Sequence, residues 1–262
     1  MKNQIGNKIS AVFIVLNEEE NLPRALGSID WVDEIVVADT GSNDNSIEIA
    51  RKYTTNVHSI EWKGFGDAYN QAMGFATKDW ILFMHADEEM TPELKKEIIG
   101  TVNSKADMSA GYYIARLPNF LGYWLRHGDW YPSYEMRLFQ RGKGRCNDRA
   151  IHQDVIIDGK KRHLKNHLLH YTDPTLDFYI DKMNRFTSLA AKELYEKGKK
   201  SAIWDLIIRP PVFFLKMFVS KRGFLDGIGG LIAAILSSNY VFVKYLKLRL
   251  LRQTKTEGDI AG

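Results

Sequence analysis

Strand-length runs of apolar residues alternate with helix-length stretches over the first hundred residues of the chain. The apolar runs are ISAVFIVL (9–16), EIVVA (34–38) and WILFM (80–84), and residues 57–60 predict a further short strand. Continuous apolar runs are typical of strands that are buried on both faces of a sheet. The stretches between them predict short helices at 22–29, 46–53 and 67–76. This alternation predicts a parallel sheet with right-handed crossover connections.

The pattern changes after the fourth strand. Thr91 and Pro92 begin a predicted helix, because threonine is a favoured N-cap and proline is tolerated in the first helical turn. Strand-like pieces follow at 112–117, 135–140, 155–157 and 163–170. They predict an antiparallel or mixed extension of the sheet. Three further helices are predicted at 175–197, 203–219 and 224–250.

Together these elements predict an α/β fold, with a mostly parallel, Rossmann-like sheet flanked by helices and a C-terminal helical extension. A chain of 262 residues is long enough for one sizeable core with an appended part. We predict a sheet-containing domain over residues 1–172 and a helical region over residues 173–262.

Polar side chains follow three of the predicted strands. They are Asn17 with Glu18, then Asp39, then the loop His85-Ala86-Asp87-Glu88. Ligands of open α/β sheets lie outside the carboxyl ends of the strands, so these clusters are expected to share one crevice. The acidic loop fits a Mg²⁺ or Mn²⁺ site, since such ions favour carboxylate and phosphate oxygens. The alternative is that Asp87 and Glu88 only stabilise the N-terminus of the following helix.

Composition and charge narrow the class further. The chain is 45% hydrophobic and 26% charged, which is typical of a globular protein. Its single cysteine, Cys146, allows no internal disulfide, and no secretory signal is recognisable, so a cytoplasmic location is predicted. The net charge of +4 is uneven. Residues 199–252 hold ten Lys and Arg against Asp205 and Asp226, which gives +8 there and leaves −4 elsewhere.

This basic segment is also rich in Phe, Leu and Ile, which favours a membrane surface as its partner over nucleic acid. Its uncharged stretch, 227–243, has 17 residues, whereas a membrane span needs about 20, so an interfacial helix is predicted. The side chains predicted to reach lipid are Phe213, Phe214, Met217, Phe218 and Phe224, with Lys216, Lys221 and Arg222 at lipid phosphate. The alternative is that these apolar faces pack on one another or across a homo-oligomer interface.

Three segments carry a resemblance to a known family: VFIVLNEEENL, EIVVADTGSNDNS and WILFMHADEEMTPEL. In this order they resemble the family-2 inverting glycosyltransferases, which have a GT-A fold. The later segments GDWYPSYEMRLFQRGKGR, IHQDVIIDG and LLHYTDPTLDFYIDKMNRFTSLAA resemble the branch with the lipopolysaccharide core β-1,4-glucosyltransferases. The resemblance covers roughly residues 8–250 and implies a cell-envelope glycosyltransferase.

The resemblance also implies roles for individual residues. It places Asn17, Glu18 and Asp39 at the donor nucleotide, with Arg137 facing the same region. Asp87 is expected to hold a Mg²⁺ or Mn²⁺ ion on the diphosphate. The implied donor is a nucleotide sugar, a UDP-sugar first, and the implied acceptor is a glycan or lipid-linked molecule at the inner face of the cell membrane.

The chain departs from the family pattern at two places. His85 stands where relatives usually have an acidic residue, so the loop is His-x-Asp, and a neutral imidazole there can still contact the donor or ligate Mn²⁺. Gln153 stands where the pattern has a glutamate as candidate general base, and an amide cannot accept the proton. Three interpretations stay open: Asp154 is the base, His152 is the base, or the protein is a nucleotide-sugar-binding pseudoenzyme or partner subunit.

Overall fold

A computed structural model describes residues 6–104, 109–146 and 155–258 of the chain. Its first elements alternate strictly between strand and helix. They are β1 (Ile9–Val15), α1 (Leu22–Gly27), β2 (Glu34–Asp39), α2 (Ser46–Arg51), β3 (Val57–Ser59), α3 (Phe65–Gly74) and β4 (Trp80–Phe83). β1 pairs in parallel with both β2 and β4, and β2 pairs in parallel with β3. The alternation predicted from the apolar runs is therefore confirmed.

The middle of the chain is mostly strand. Its elements are β5 (Glu88–Met90), α4 (Pro92–Val102), β6 (Gly111–Phe120), β7 (Tyr123–Trp124), β8 (Ser133–Gln140), β9 (Gly144–Cys146), β10 (Val155–Ile157) and β11 (Lys161–Asp173). The main sheet has the order β3-β2-β1-β4-β8-β6-β11-β5, with β7 paired to β6. β8 is antiparallel to β4, and β9 with β10 forms a separate antiparallel pair. The predicted mixed extension of the sheet is present.

The last part of the chain is helical. Its elements are α5 (Leu176–Glu196), α6 (Ile203–Ile207), α7 (Arg209–Leu215), a π-helical turn (Lys216–Ser220), a 3₁₀ turn (Gly223–Asp226) and α8 (Gly227–Gly258). The helical stretch predicted over 203–219 is present, but it is divided at Ile208 and ends in the π-helical turn. Pro210 and Pro211 occupy the first turn of α7, where a missing N–H is harmless, whereas inside a longer helix each would remove a hydrogen bond.

The chain forms two compact units. The first contains residues up to 116 and 133–170, and the second contains 117–132 and 171 onward. In the first unit, side chains of α1 and α4 pack on one face of the sheet and side chains of α3 pack on the other. The core of the second unit joins Phe120 and Leu125 to Tyr179 and Met183 of α5 and Ala233 of α8. The predicted domain boundary at residue 172 stays a prediction.

The predicted α/β class, with helices on both faces of the sheet and a C-terminal helical extension, is confirmed. The predicted start of α4 is also confirmed, because the Thr91 side chain accepts a hydrogen bond from Leu94 N–H. Glu88 instead begins the strand β5, so the role of helix cap belongs to Thr91. By length and composition, the helical stretch Gly223–Gln253 is long and apolar enough to cross a membrane.

Candidate active site

The loops that follow β1 and β2 are tied together by hydrogen bonds. The side-chain oxygen of Asn17 accepts from the backbone N–H of Asn43 (2.9 Å), and Asn17 adopts a φ of 55°. The Asn17 N–H donates to Ser42 Oγ (2.9 Å), and the Glu18 N–H donates to Ser46 Oγ (2.7 Å). Asparagine tolerates a positive φ better than most residues. These contacts make one connected wall at the carboxyl edge of β1 and β2.

Asp39 ends β2 with a carboxylate that is 2% exposed. It accepts hydrogen bonds from the backbone N–H of Gly41 (3.0 Å) and of Ser42 (3.1 Å). Gly41 has a φ of 112°, a backbone conformation that residues other than glycine rarely adopt. Asp39 therefore shapes the turn after β2, and its predicted contact with the donor stays a prediction.

Glu18 and Asp87 follow β1 and β4, two neighbouring parallel strands. Burial is the main cause that raises the pKa of Glu18, the hydrogen bond from Asn21 lowers it, and the negative charges of Asp87 and Asp44 raise it again. β1 and β4 are parallel neighbours in the sheet, so the loops that carry these two predicted site carboxylates leave it at the same edge.

Asp87 is held by one of its two oxygens. Its Oδ2 lies 3.1 Å from Nε2 of His170 in β11. Its Oδ1 is buried and has no hydrogen-bond partner within the described part of the chain. Burial raises the pKa of Asp87, but the hydrogen bond and charge of His170, together with Arg137, hold it well below its usual range. Asp87 is therefore an ionised carboxylate with a free buried oxygen.

His85 packs against a buried arginine. Nη1 and Nη2 of Arg137 lie 3.1 Å from the two imidazole nitrogens, and the Tyr69 hydroxyl lies 2.8 Å from Nε2. A guanidinium only donates hydrogen bonds, so this arrangement disfavours a proton on both ring nitrogens. Burial and the charge of Arg137 lower the pKa of His85 to about 4. His85 is a neutral imidazole at physiological pH.

Glu88 holds this arginine in place. Its fully buried carboxylate lies 2.6 Å from Nη2 of Arg137 and 3.7 Å from Nη1 of Arg116 in β6. It also accepts a hydrogen bond from the His85 backbone N–H (3.0 Å), which closes the loop on itself. Glu135, which lies in β8, also forms ion pairs with both Arg116 and Arg137. One carboxylate thus links the His-x-Asp loop to β6 and β8.

The structure brings most of the predicted site residues to one edge of the sheet. Asn17, Glu18, Asp39, His85, Asp87 and Arg137 all follow or lie in strands of the main sheet. The residues predicted for general base catalysis, His152, Gln153 and Asp154, lie outside the described residues. Their roles stay predictions.

Sequence reasoning missed Glu88 and His170 as partners inside the site. Glu88 pairs with a residue 49 positions away, and His170 contacts Asp87 across 83 positions. The sequence placed Glu88 in the acidic loop, at a cation site or as a helix cap, and did not indicate its ion pair with Arg137. The register of β5 against β11 places His170 opposite Glu88. That pairing could not be seen, because three residues are too few to predict a strand.

The parallel strands, with carboxylates at their carboxyl ends, define the class: an α/β protein of the kind that binds ligands at this edge of its sheet. The sequence model of Glycosyl transferase family 2 matches residues 10–156, which is more than half of the chain, so the chain belongs to this family. It is a glycosyltransferase, and the GT-A fold implied by the resemblance is confirmed.

Several known proteins are similar to this chain over most of its length. The lipopolysaccharide core biosynthesis glycosyltransferase LpsC of Rhizobium meliloti is 28% identical, over 92% of this chain and 91% of that protein. A glycosyltransferase of Rickettsia conorii is also 28% identical, over 100% and 96%. The crystal structure of M. tuberculosis glucosyl-3-phosphoglycerate synthase with phosphoglyceric acid matches with a TM-score of 0.49 and 17% identity, over 75% of this chain and 82% of that one.

Proposed function

We propose that this chain transfers a sugar from a nucleotide-sugar donor to a membrane-held glycan or lipid acceptor, by a metal-assisted displacement that inverts the anomeric carbon. The observation that carries this proposal is Asp87, an ionised carboxylate that follows β4 and whose buried Oδ1 has no hydrogen-bond partner among the described residues. Family membership supplies the reaction class.

The chemistry of Asp87 fits a divalent cation. A buried, ionised carboxylate oxygen without a partner destabilises the folded protein unless a ligand completes its coordination. Among the described residues, no three His, Cys, Asp or Glu side chains form a complete ion site. Mg²⁺ and Mn²⁺ bind through one or two carboxylates together with substrate phosphates, so such a cage is not required. We propose that Asp87 Oδ1 is the protein ligand and that His170 orients the carboxylate through Oδ2.

The remaining residues bind and position the donor. A bound cation supplies positive charge against the departing nucleoside diphosphate. Asn17, Glu18 and Asp39 line the wall that we assign to the nucleoside. Arg137 is fixed by Glu88 and places a second positive charge beside Asp87, whose pKa it lowers. His85 contributes a neutral ring there, so it adds no negative charge next to the diphosphate.

The names of the relatives support a proposal for the class of acceptor and for the location of the protein. LpsC is named for lipopolysaccharide core biosynthesis and aligns with 92% of this chain. We infer an acceptor of the same class, a lipid-held glycan of the cell envelope. The protein is proposed to lie peripherally at the cytoplasmic face of the membrane, and a UDP-sugar is the first donor to test.

Thermal unfolding with a panel of nucleotide sugars tests the donor site. We expect one of the UDP-, GDP-, ADP- and CMP-sugars to raise Tm only when Mn²⁺ or Mg²⁺ is present. A ligand at about 100 times its Kd stabilises the native state by roughly 2.7 kcal/mol. Stabilisation of equal size with chelator added would contradict the role of the cation, and no stabilisation by any donor would contradict the donor site.

Substitution of Asp154 tests the choice of general base. If Asp154 accepts the acceptor proton, Asp154→Asn is expected to lower kcat by about a hundredfold or more, since general base catalysis contributes roughly 10²–10⁴. Donor-dependent stabilisation should persist, because the base contacts the acceptor. His152→Gln is the matched comparison. A loss confined to that variant would transfer the role to His152.

A further inference from the structure

The short helices of the second unit expose a row of large apolar side chains. Trp204 is 64% exposed, and Ile207, Val212, Leu215 and Val219 are each 55–56% exposed. Together with Ile203 and Ile208 we call these residues the apolar band. Isolated apolar side chains are ordinary on protein surfaces, whereas a concentration within 17 consecutive residues marks an interaction site.

The direction of the apolar band follows from what the same segment buries. Pro210 and Met217 are its buried residues, and the Pro210 carbonyl accepts a hydrogen bond from Ser238 of α8 (2.7 Å). α7 packs against α8 through this side. The band residues therefore project away from α8. Trp204, Ile208, Val212, Leu215 and Val219 are spaced by three or four residues, as expected for one helical face.

These residues differ from those that the sequence predicted to reach lipid. Met217 is buried, and Phe213, Phe214 and Phe218 are half-buried. Lys216 and Lys221 pair with Asp129, at 3.4 Å and 2.8 Å. Of the predicted aromatic set, Phe224 alone is exposed. The exposed surface is made by aliphatic side chains and one tryptophan instead.

Acidic residues near the apolar band are held by contacts within the second unit, as Asp129 is by Lys216 and Lys221. Asp205 pairs with Arg209 and accepts the backbone N–H of Ala202. Asp226, the other acidic residue between 199 and 252, accepts the backbone N–H groups of Arg126 and His127. Both carboxylates are therefore occupied inside the unit. The exposed basic residues Lys199, Lys200 and Arg222 flank the band at its two ends.

We propose that the apolar band lies on an anionic lipid bilayer, with α6 and α7 in the plane of the interface. Apolar side chains enter the boundary between headgroups and acyl chains, and the flanking basic residues face lipid phosphate. Tryptophan favours this depth because its ring is apolar and its N–H is polar. A second copy of the chain fits less well, because a symmetric contact brings the same basic residues face to face. This proposal does not depend on the donor chemistry.

Binding of the full chain to vesicles, measured without any nucleotide sugar, tests the proposal. We expect co-sedimentation with vesicles of phosphatidylcholine and phosphatidylglycerol, and binding at least about tenfold weaker to phosphatidylcholine alone. The double variant Trp204→Ser/Ile208→Ser should lower affinity by about tenfold or more. Trp62→Ser is the matched control, since Trp62 is 46% exposed in the first unit. It should bind as the wild type does.

Two further measurements make the outcome specific. The fluorescence emission of tryptophan should shift to shorter wavelength on binding, and this shift should be smaller in Trp204→Phe. The phenylalanine also keeps an apolar ring at this position, so the variant changes polarity little. An unchanged Tm shows that each variant is folded. Absence of binding to the anionic vesicles overturns the proposal, as does an equal loss in Trp62→Ser. A dimer in sedimentation velocity that Trp204→Ser dissociates, without vesicle binding, would assign the band to a protein interface instead.

Discussion

The Asp87→Asn variant is expected to lose roughly a thousandfold or more in kcat/KM while staying folded, because metal-assisted charge stabilisation contributes several kcal/mol and 1.36 kcal/mol corresponds to about tenfold. An asparagine oxygen can still accept from His170, so the local geometry is kept. The amide carries no charge, so it binds a divalent cation far more weakly. Steady-state kinetics with saturating Mn²⁺ and the donor identified by thermal unfolding measures the effect.

The matched control for Asp87→Asn is Asp30→Asn. The Asp30 side chain is 80% exposed and lies in the loop after α1. It should keep wild-type activity and Mn²⁺-dependent donor stabilisation. An Asp87→Asn enzyme within about tenfold of the wild type, at any Mn²⁺ concentration, would show that another group binds the cation.

The second large effect is expected on stability. Glu88→Gln should lower the free energy of unfolding by about 3–5 kcal/mol, because removing one partner leaves a buried charge uncompensated. Arg137 is 1% exposed, and among the described residues its remaining ion-pair partner would be the more exposed Glu135. For a chain of this size the loss corresponds to a fall in Tm of roughly 10 °C. Thermal unfolding followed by circular dichroism measures it.

A double variant separates charge from packing. Glu88→Leu combined with Arg137→Met removes both charges, so it should lose less stability than the sum of the two single variants. Glu93→Gln, an exposed glutamate of α4, should change stability by no more than about 0.5 kcal/mol. Additive losses in the double variant would show that Glu88 and Arg137 do not act as a pair.

The parallel half of the fold could be predicted because burial on both faces leaves a direct mark on the sequence. β1 and β4 are read as unbroken apolar runs, and every residue of β4 is buried. Elements of two or three residues, such as β7 and β9, leave no comparable period, and their pairing depends on chain segments that are distant in sequence. Prediction reached the parallel direction of the first four strands but not their order in the sheet.

The candidate site was predictable in its carboxylates but not in their environment. Asp39 and Asp87 follow buried strands, so their position at the sheet edge was expected. The neutral state of His85 was considered, but its causes are burial and the charge of Arg137, which is brought beside it by the pairing of β8 with β4. In the helical part, the sequence indicated lipid contact from composition, while the side of each helix that is buried depended on packing against α8.

The pairing of β5 with β11 has a consequence for how the donor binds. The loop that carries Asp87 joins β4, which pairs with β1, to β5, which pairs with β11. Within the loop, the Glu88 carboxylate accepts a hydrogen bond from the His85 N–H. Catalytic loops that must become ordered around a substrate lose conformational entropy on binding, which weakens affinity. These contacts hold the Asp87 loop from within the chain. Binding of a nucleotide sugar is therefore expected to cost little conformational entropy at this loop.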